Sequence, residues 1–407
     1  MPLQGLKRRS SATFLAGWRC SAVYDVLVAG AGPAGSALAW TLARAGLKTA
    51  LLEARRHPRG KPCGESLNPG AAAALERLTG KRREGGAAGP AETFGHPLRG
   101  WLLHCGTASM EAEFPGGAAG FSCRRDQLDG WLLEQAELAG AEVLQEHRVR
   151  RAMRDDEGGC LVEGEAGSGS FQIRARYVAG ADGIRSAVAR SSGLGAPWGA
   201  LRKIAITARM SGIEQLRDRV ELHLKEGSTL GIAPLKGDAA NVTLVLPAGS
   251  AWAEEGRNKS AAMLRELSRR PQLEERCRQA VLEDEPLACG PFHQPIPQPA
   301  SGRIVLVGDA AGYYDPLTGQ GIYRALRSAE LAAPLLLRAV ETGDERQLGV
   351  YGRLYRKEFA AAAALQRVIE FGSARPRLFE ASIRVLGRTP GAGSRLAAWI
   401  GDCGGVT

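Results

Sequence analysis

Three glycines near the start of the chain have the spacing of a phosphate-binding turn. Gly30, Gly32 and Gly35 form a G-x-G-x-x-G pattern between a short apolar strand and a helix rich in Ala and Leu. The first glycine permits a tight turn, the second lets the backbone approach a pyrophosphate, and the third lets helix and strand pack closely. Glu53 follows a second apolar strand, where a carboxylate is placed to bind ribose hydroxyls. These residues predict dinucleotide binding, with a purely structural glycine turn as the alternative.

Two later segments also place polar residues at the ends of apolar strands. One strand runs into Asp182 and Gly183, and another runs into Gly308 and Asp309 ahead of a long helix. Together with the glycine pattern, these motifs resemble the FAD fingerprint, the Asp-Gly motif and the Gly-Asp motif of the flavoprotein monooxygenase and geranylgeranyl reductase superfamily, which shares the fold of para-hydroxybenzoate hydroxylase. The resemblance covers about residues 24–333. It implies FAD as the cofactor and NADH or NADPH as a co-substrate.

The resemblance also implies which residues bind the cofactor. The glycine turn would hold the pyrophosphate, Glu53 the adenosine ribose, and Asp309 the ribityl chain or the pyrophosphate side. Arg125 would lie near the flavin phosphates, with Arg124 as its equivalent if the register slips by one. A helix from Ile322 would direct its N–H groups at negative charge on the flavin. The implied FAD-binding residues are Gly30, Gly32, Pro33, Ala34, Gly35, Glu53, Ala54, Arg55, Cys63, Gly64, Arg125, Asp182, Gly183, Gly308, Asp309, Pro316, Gly319, Gly321 and Ile322.

Candidate catalytic residues lie in the turn that follows the second strand and ahead of the Gly-Asp motif. Gly64 lets the backbone approach the flavin ring, Cys63 offers a polarizable wall, and Glu65 is an acid or base if desolvated. A structural turn with an exposed glutamate is the alternative. His293 is expected near the edge of the flavin. Further candidates for lining the substrate site, each also suited to a structural role, are Trp101, His104, His223, Tyr313 and Tyr314.

The reaction is less clearly indicated than the cofactor. The Cys-Gly-Glu turn resembles the geranylgeranyl reductases and the halogenase-like branch, but residues 230–234 lack the two tryptophans of the halogenases and the aromatic pair of the prenyl reductases. We therefore predict a FAD-dependent monooxygenase that uses NAD(P)H and O2 to hydroxylate a phenol- or indole-type substrate, free or carried on a peptide or protein, through a C4a-hydroperoxyflavin. The alternatives are a geranylgeranyl-reductase-like enzyme that reduces C=C bonds, a halogenase-like enzyme and a non-catalytic flavin-binding regulator. No strongly apolar amphipathic anchor is evident in the sequence, which argues against the reductase.

The motifs predict an α/β fold: a Rossmann-like FAD-binding domain with an inserted, mainly antiparallel β-sheet substrate domain and a C-terminal helical region. Alternating apolar residues in four segments between residues 203 and 246 support the inserted sheet. The aromatic and aliphatic residues of the C-terminal region, Phe371, Phe379, Ile383 and Trp399, are expected in core or dimer packing. The expected organisation is an N-terminal arm at 1–22, disordered; the FAD-binding domain at 23–91, 122–195 and 298–345; the substrate-binding layer at 92–121 and 196–297; and C-terminal helices at 346–407.

Composition narrows the class of protein further. The 407 residues carry a formal net charge of +10 that is spread along the chain, with no basic block interleaved with aromatic residues, so nucleic-acid binding is not expected. The eight cysteines and six histidines show no C-x-x-C or ligand spacing, which indicates reduced thiols in the cytoplasm and no metal. No apolar run approaches the roughly 20 residues of a membrane span. A twin-arginine export signal in the N-terminal arm is the alternative to a cytoplasmic location.

Overall fold

The structure is a computed structural model that describes residues 23–80, 88–197, 203–247, 249, 258–292, 295–313, 319–373 and 375–403. The strands are β1 Tyr24–Ala29, β2 Thr49–Leu52, β3 Ser66–Leu67, β4 His96–Leu98, β5 Gly100–Cys105, β6 Ala108–Glu113, β7 Gly120–Ser122, β8 Glu142–Leu144, β9 His147–Arg154, β10 Cys160–Ala166, β11 Gly169–Gly180, β12 Lys203–Ser211, β13 Arg219–Lys225, β14 Ser228–Pro234, β15 Ala239–Pro247, β16 Val281–Leu282, β17 Leu287–Cys289, β18 Ala300–Ser301 and β19 Ile304–Leu306. The α-helices are α1 Pro33–Arg44, α2 Pro69–Thr79, α3 Pro90–Phe94, α4 Arg125–Leu138, α5 Ala187–Ser191, α6 Lys259–Ser268, α7 Pro271–Glu274, α8 Gly321–Thr342, α9 Tyr351–Ser373, α10 Pro376–Arg388 and α11 Ala392–Ile400. Short 3-10 helices cover Pro115–Gly117, Gly308–Ala311 and Glu345–Val350.

The first sheet carries the motifs expected to bind a dinucleotide. Its strands run in the order β18-β19-β11-β1-β2-β8, with β9 and β10 continuing from β11. Strands β19, β11, β1, β2 and β8 are mutually parallel. Strands β1, β2 and β19 and the end of β11 are buried, which fits their apolar sequences. Because parallel strands end at the same edge of a sheet, the polar residues that follow β2, β11 and β19 meet there.

Helix α1 begins within the glycine pattern itself. Its first residue is Pro33, whereas the run of Ala and Leu in the sequence predicts a helix that begins at Ser36. Proline is favoured at the first helical position because its missing N–H is one of the donors left free there and its φ is already helical. The consequence is that the free N–H groups of α1 lie directly at the turn.

The second large sheet forms the inserted layer. Its strands run in the order β16-β12-β15-β14-β13-β5-β6, and β17 also pairs with β12. All of these pairs are antiparallel except β13 with β5, which are parallel and come from separate segments of the chain. The predicted α/β fold class, with its inserted and mainly antiparallel sheet, is confirmed.

The C-terminal helices cover one side of the inserted layer. Helices α10 and α11 pack on β6, and a shared core joins them to β5. The sequence from Trp252 to Arg270 has the pattern of an amphipathic helix. Within it the structure shows α6, and residues 251–257 lie outside the part described. None of the helices in the described segments combines the length and apolar character needed to cross a bilayer.

Candidate active site

The three glycines of the turn occupy three different environments. A Cβ atom added at Gly35 would lie 1.8 Å from the carbonyl oxygen of Gly30, so α1 touches β1 through this residue. Gly30 has φ +104° and approaches the carbonyl of Ala181, which an added Cβ atom would meet at 2.4 Å. At Gly32 the nearest atom would be Arg59 Nη2 at 3.8 Å, so this position opens onto a cavity. The space that a pyrophosphate needs is therefore at Gly32.

Glu53 belongs to a network of charged side chains. The buried Glu53 carboxylate accepts hydrogen bonds from the N–H groups of Ala31 and Arg55, each at 3.0 Å. Arg59 bridges Glu53 at 3.3 Å and Asp129 at 3.4 Å. This network fixes the Glu53 side chain at the wall of the cavity, beyond the C-terminal end of β2.

Arg125 extends the same network towards Cys63. Both Arg125 and Asp129 are buried, and their two hydrogen bonds of 2.9 Å join residues four apart on α4. Burial opposes the charged guanidinium, but Asp129 and the neighbouring Cys63 outweigh it and raise the pKa of Arg125 above its ordinary value. The guanidinium therefore stays charged at the cavity wall, where the sequence predicts a phosphate contact.

Asp182 lies after β11, and part of its carboxylate has no protein partner. Its Oδ2 accepts hydrogen bonds from the N–H groups of Ala187 at 2.7 Å and Val188 at 3.2 Å. Its Oδ1 is buried and has no hydrogen-bond partner among the described residues. Burial raises the pKa of Asp182 even though the Ser186 hydroxyl and the two N–H groups act to lower it. The residue borders the cavity with an acceptor available to a ligand.

The start of α8 is held in place by the end of the described chain. Gln320, which precedes α8, donates from Nε2 to both oxygens of Asp402 at 3.0 Å. Asn68, which precedes α2, donates to the same carboxylate at 2.8 Å. Burial raises the pKa of Asp402 to about 7. Gly321 and Ile322, at the first turn of α8, border the cavity, so the free N–H groups of this helix face it.

These elements surround one cavity of about 540 Å³. The predicted cofactor residues that line it are Gly30, Gly32, Pro33, Ala34, Glu53, Ala54, Arg55, Cys63, Gly64, Arg125, Asp182, Gly183, Gly308, Asp309, Gly319, Gly321 and Ile322. Gly35 instead packs helix against strand, and Pro316, like the candidate catalytic His293, lies outside the described residues. Parallel strands thus bring together residues that are almost 300 positions apart.

The cavity fits a dinucleotide such as FAD. Gly32 leaves room beside the free N–H groups of α1, which is where a pyrophosphate would be held. Glu53 and Asp309 would hold the two sugar-derived parts, and Asp182 offers its unpartnered Oδ1. The N-terminus of α8 would stabilise negative charge on a flavin ring.

The structure adds several basic residues that the motifs did not indicate. Arg59 lies in the network described above, and the others line the same cavity. Some of them belong to a run rich in Arg and Lys at residues 55–61, directly after β2. This run could have indicated in the sequence that basic residues line the site. The additional basic residues are Arg59, Lys61, Arg148, Arg150, Arg185 and Arg190.

The candidate catalytic residue Glu65 is buried and does not line the cavity. Its Oε1 accepts hydrogen bonds from Arg209 at 2.9 Å and from the N–H of Arg125 at 2.8 Å. Its Oε2 accepts from Arg209 at 3.3 Å and from Asn241 at 3.2 Å. Glu65 also has φ +55°, a conformation that is uncommon for residues other than glycine. This geometry gives it a structural role: it joins the turn after β2 to the inserted sheet.

We expect Arg209→Ala to destabilise the protein by about 3 kcal/mol, because it leaves the buried Glu65 carboxylate without a cationic partner. Glu65→Ala should cost less, because Arg209 keeps its ion pairs with Asp284 at 3.2 Å and Asp126 at 3.6 Å. The double variant should lose less than the sum of the two, since the pair acts as a unit. Denaturant unfolding of the FAD-loaded protein measures both effects. A catalytic role for Glu65 would give a different result: Glu65→Gln would stop turnover with near-normal stability, and Arg209→Ala would leave turnover per folded molecule unchanged.

Two of the candidate substrate-lining residues face away from this cavity. His104 and His223 stack with ring centroids 4.5 Å apart and planes 18° apart, and they border a second cavity of about 430 Å³. Burial and His223 lower the pKa of His104 to about 4. With Glu221 the two rings offer ligand atoms within 4.8 Å of one another. However, near-parallel rings do not direct their lone pairs at one point, and Arg276 binds both oxygens of Glu221, so this cluster is not arranged as a metal site.

The main cavity continues over the inserted sheet, the layer that the sequence predicts to bind the substrate, although the sequence indicated few of the residues that line this part. We call it the chamber; its wall consists of the residues of the inserted sheet that line the cavity. Trp101 of β5 also reaches it, 3.0 Å from the position of an added Cβ atom on Gly319, and Tyr313 borders it next to Phe292. The chamber wall is formed by Ala205, Thr207, Val220, Leu222, Thr229, Gly231, Ala233, Asn241, Thr243, Val245, Ala288 and Cys289.

Comparison with known proteins agrees with this geometry. A family model described as a FAD binding domain matches residues 23–367. Digeranylgeranylglycerophospholipid reductase 1 of Methanopyrus kandleri is 32% identical over 336 residues, which is 79% of this chain and 82% of that protein. Reductase 2 of the same organism is 30% identical over 335 residues, covering 79% of this chain and 78% of that one.

Solved structures share the whole architecture. A geranylgeranyl bacteriochlorophyll reductase-like protein of Thermoplasma acidophilum superposes with a TM-score of 0.75 at 22% identity, covering 95% of this chain and 99% of that one. The flavin-dependent brominase Bmp2 superposes with a TM-score of 0.78 at 20% identity, covering 94% of each chain. At these identities the likeness shows the fold alone.

The fold and the cavity define a flavin-dependent oxidoreductase. The chain belongs to the family defined by this FAD binding domain, whose model matches most of its length. It is also similar to the two digeranylgeranylglycerophospholipid reductases over about four fifths of its length. The predicted superfamily and the predicted FAD cofactor are confirmed.

Proposed function

We propose that this protein is a FAD-dependent reductase that saturates carbon–carbon double bonds in a prenyl chain carried on a polar lipid. The two reductases at 30% and 32% identity support this alternative over the aromatic hydroxylation predicted from the sequence. The observation that carries the proposal is the chemistry of the chamber wall. Among the described residues that form it, side chains are small, apolar or neutral, and none is a carboxylate or an imidazole.

The composition of the chamber wall favours reduction of a prenyl chain over hydroxylation of a phenol. Hydroxylating a phenol calls for a base within hydrogen-bond reach of the ring hydroxyl. A prenyl chain needs only apolar surface and space, which Ala, Val and Gly side chains of the wall provide. A bound prenyl chain would itself displace water from this part of the cavity.

Each saturation adds a hydride to one carbon and a proton to the other. Reduced FAD supplies the hydride when bound and is oxidised in the step, and a two-electron donor, expected to be NADH or NADPH, must restore it. The protein's part is to hold the double bond and to provide the proton. Among the described residues that line the cavity, Cys63 and Tyr313 are the candidates to supply this proton.

The proposal is tested by reducing the protein without oxygen and adding a geranylgeranyl-bearing glycerophospholipid. The flavin absorbance should return to the oxidised form, and mass spectrometry should show the lipid gaining two hydrogens per step. The fully saturated lipid is the matched control and should leave the flavin reduced. Reoxidation only by O2, together with oxygen incorporated into an added phenol or indole, would favour the monooxygenase instead.

A further inference from the structure

The C-terminal helices expose apolar side chains that the fold leaves uncovered. Exposed large hydrophobic residues occur elsewhere on the described chain, but the exposed aromatic ones, Phe371 (57% exposed) and Trp399 (69%), both lie here. Leu378 (52%) and Val385 (64%) of α10 are exposed as well. Of the two kinds of packing expected for these residues, core or dimer, Phe371 and Trp399 do not show the first within this chain. Phe379 and Ile383 do face the core.

The orientation of α10 is fixed by its inner face. Ile383 is fully covered, and Phe379 and Leu386 pack beside it. A Cβ atom added at Gly387 would lie 2.9 Å from the carbonyl oxygen of Ser109, so the helix backbone rests directly on β6. The helix therefore has no freedom to turn its outer side chains inwards.

The outer face of α10 carries a narrow apolar row. Leu378, Ala381 and Val385 are spaced at i, i+3 and i+7, which places them in one line along the helix, and all three are exposed. We call these three residues the C-terminal stripe. Arg388 continues the line, and Arg377 and Arg384 lie next to it.

The surroundings of the stripe are strongly basic. Residues 367–395 contain six arginines and two glutamates. One of the glutamates, Glu380, accepts hydrogen bonds from the N–H and hydroxyl of Thr107 at 3.1 and 2.8 Å and pairs with Arg384 at 2.8 Å, which leaves Arg377 and Arg388 as the arginines of α10 outside this pair. Arg375 stacks on the exposed Phe371 ring, with Cζ 3.8 Å from the ring centroid. Apolar and positively charged surface therefore alternate on this face.

We propose that this face docks the protein on an anionic lipid bilayer, with the C-terminal stripe inserted at the level of the headgroups. An amphipathic helix that has arginines beside an apolar row binds by burying the row and attracting anionic headgroups. A second copy of the chain fits less well. A two-fold interface places the same patch against itself, which would oppose arginines to arginines around three apolar side chains.

The location of the stripe suits delivery of a lipid. Helix α10 packs on β5 and β6, and Trp101 of β5 lines the chamber on the inner side. The docking face is thus one layer of structure away from the proposed substrate site. The inference does not depend on the reaction, because it rests only on the exposed side chains and their charge.

The test is sedimentation of the full-length, FAD-loaded protein with lipid vesicles and no substrate. Vesicles of equimolar phosphatidylglycerol and phosphatidylcholine should bind it at least tenfold more strongly than phosphatidylcholine alone, and added salt should weaken binding. The double variant Leu378→Asp, Val385→Asp should lose at least tenfold in binding. Leu138→Asp is the matched control, because Leu138 is 75% exposed on α4, and should bind as the wild type does.

A second variant keeps the test decisive if the first does not fold. Arg377→Glu with Arg388→Glu should weaken binding to the anionic vesicles while the flavin spectrum stays normal. The proposal is overturned if the wild type does not sediment with anionic vesicles, or if the folded stripe variant binds as well as the wild type. It is also overturned if the wild type is a dimer that the stripe variant converts to a monomer. Because no turnover is measured, failure here is distinct from failure of the reductase assay.

Discussion

Replacing Gly35 by alanine is expected to prevent the protein from reaching a stable, FAD-binding fold. The added methyl group would lie 1.8 Å from the carbonyl oxygen of Gly30 and 3.0 Å from the side chain of Ala181. The first contact is with backbone, so α1 and β1 would have to separate. Overpacking of this kind costs about 3 kcal/mol or more, a large part of the total stability of a typical domain. Soluble yield and the midpoint of thermal unfolding measure the loss.

Gly32→Ala is the matched control for this variant. Gly32 has φ −82°, which alanine adopts without strain, and its nearest neighbour would be an arginine nitrogen at 3.8 Å. We expect the variant to fold with a near-normal unfolding midpoint in the absence of FAD. Its methyl group would occupy the space assigned to the pyrophosphate, so FAD binding should weaken by at least tenfold, or about 1.4 kcal/mol. Wild-type FAD affinity in Gly32→Ala would place the pyrophosphate elsewhere.

Replacing Gly231 by phenylalanine is expected to abolish reduction of the prenyl lipid while FAD stays bound. Gly231 lies in β14 at the chamber wall, and the nearest contacts of an added Cβ atom would be Leu222 at 3.4 Å and the carbonyl of Thr243 at 3.8 Å. A benzyl group therefore has room to enter the chamber, where it would take the place of the substrate. We expect turnover to fall by about 100-fold, which corresponds to about 2.7 kcal/mol in the barrier.

The control for the chamber is Gly231→Ala, which adds one methyl group in ordinary contact with Leu222. It should keep most of the wild-type turnover. Turnover with the prenyl lipid and the visible spectrum of the bound flavin are measured for both variants. Full activity in Gly231→Phe, with FAD bound, would show that the substrate does not use the chamber.

The cofactor site could be predicted because its signals are local. Gly30, Gly32 and Gly35 lie within a stretch of six residues. Each meets one need of the strand–turn–helix unit: a tight turn, space for a pyrophosphate, or close packing of helix and strand. Asp182 and Asp309 follow buried strands, and the rule that parallel strands end at one edge places them at the same cavity. The physical reason is that short buried strands are recognisable by composition and that their ends mark the ligand edge.

The surroundings of Glu65 could not be predicted in this way. A Cys-Gly-Glu turn in sequence is compatible with an exposed glutamate or with a catalytic one. What determines its environment is Arg209, which is 144 residues away on β12, and Asn241 on β15. The residues near Glu65 or Arg209 in the sequence give no indication that these two side chains pair.

The orientation of the C-terminal helices could not be predicted from the sequence either. The periodicity of α10 contains two apolar rows, one with Phe379 and Ile383 and one with Leu378 and Val385. Packing on β6 through Gly387 buries the first row and leaves the second exposed. The sequence by itself determined the α/β fold and the glycine turn and acidic residues of the FAD site, because strand, turn and helix signals act between near neighbours. Only the tertiary structure decided which apolar row faces outwards, what Glu65 binds and how the chamber is lined, because those outcomes depend on surfaces that meet only when distant segments pack together.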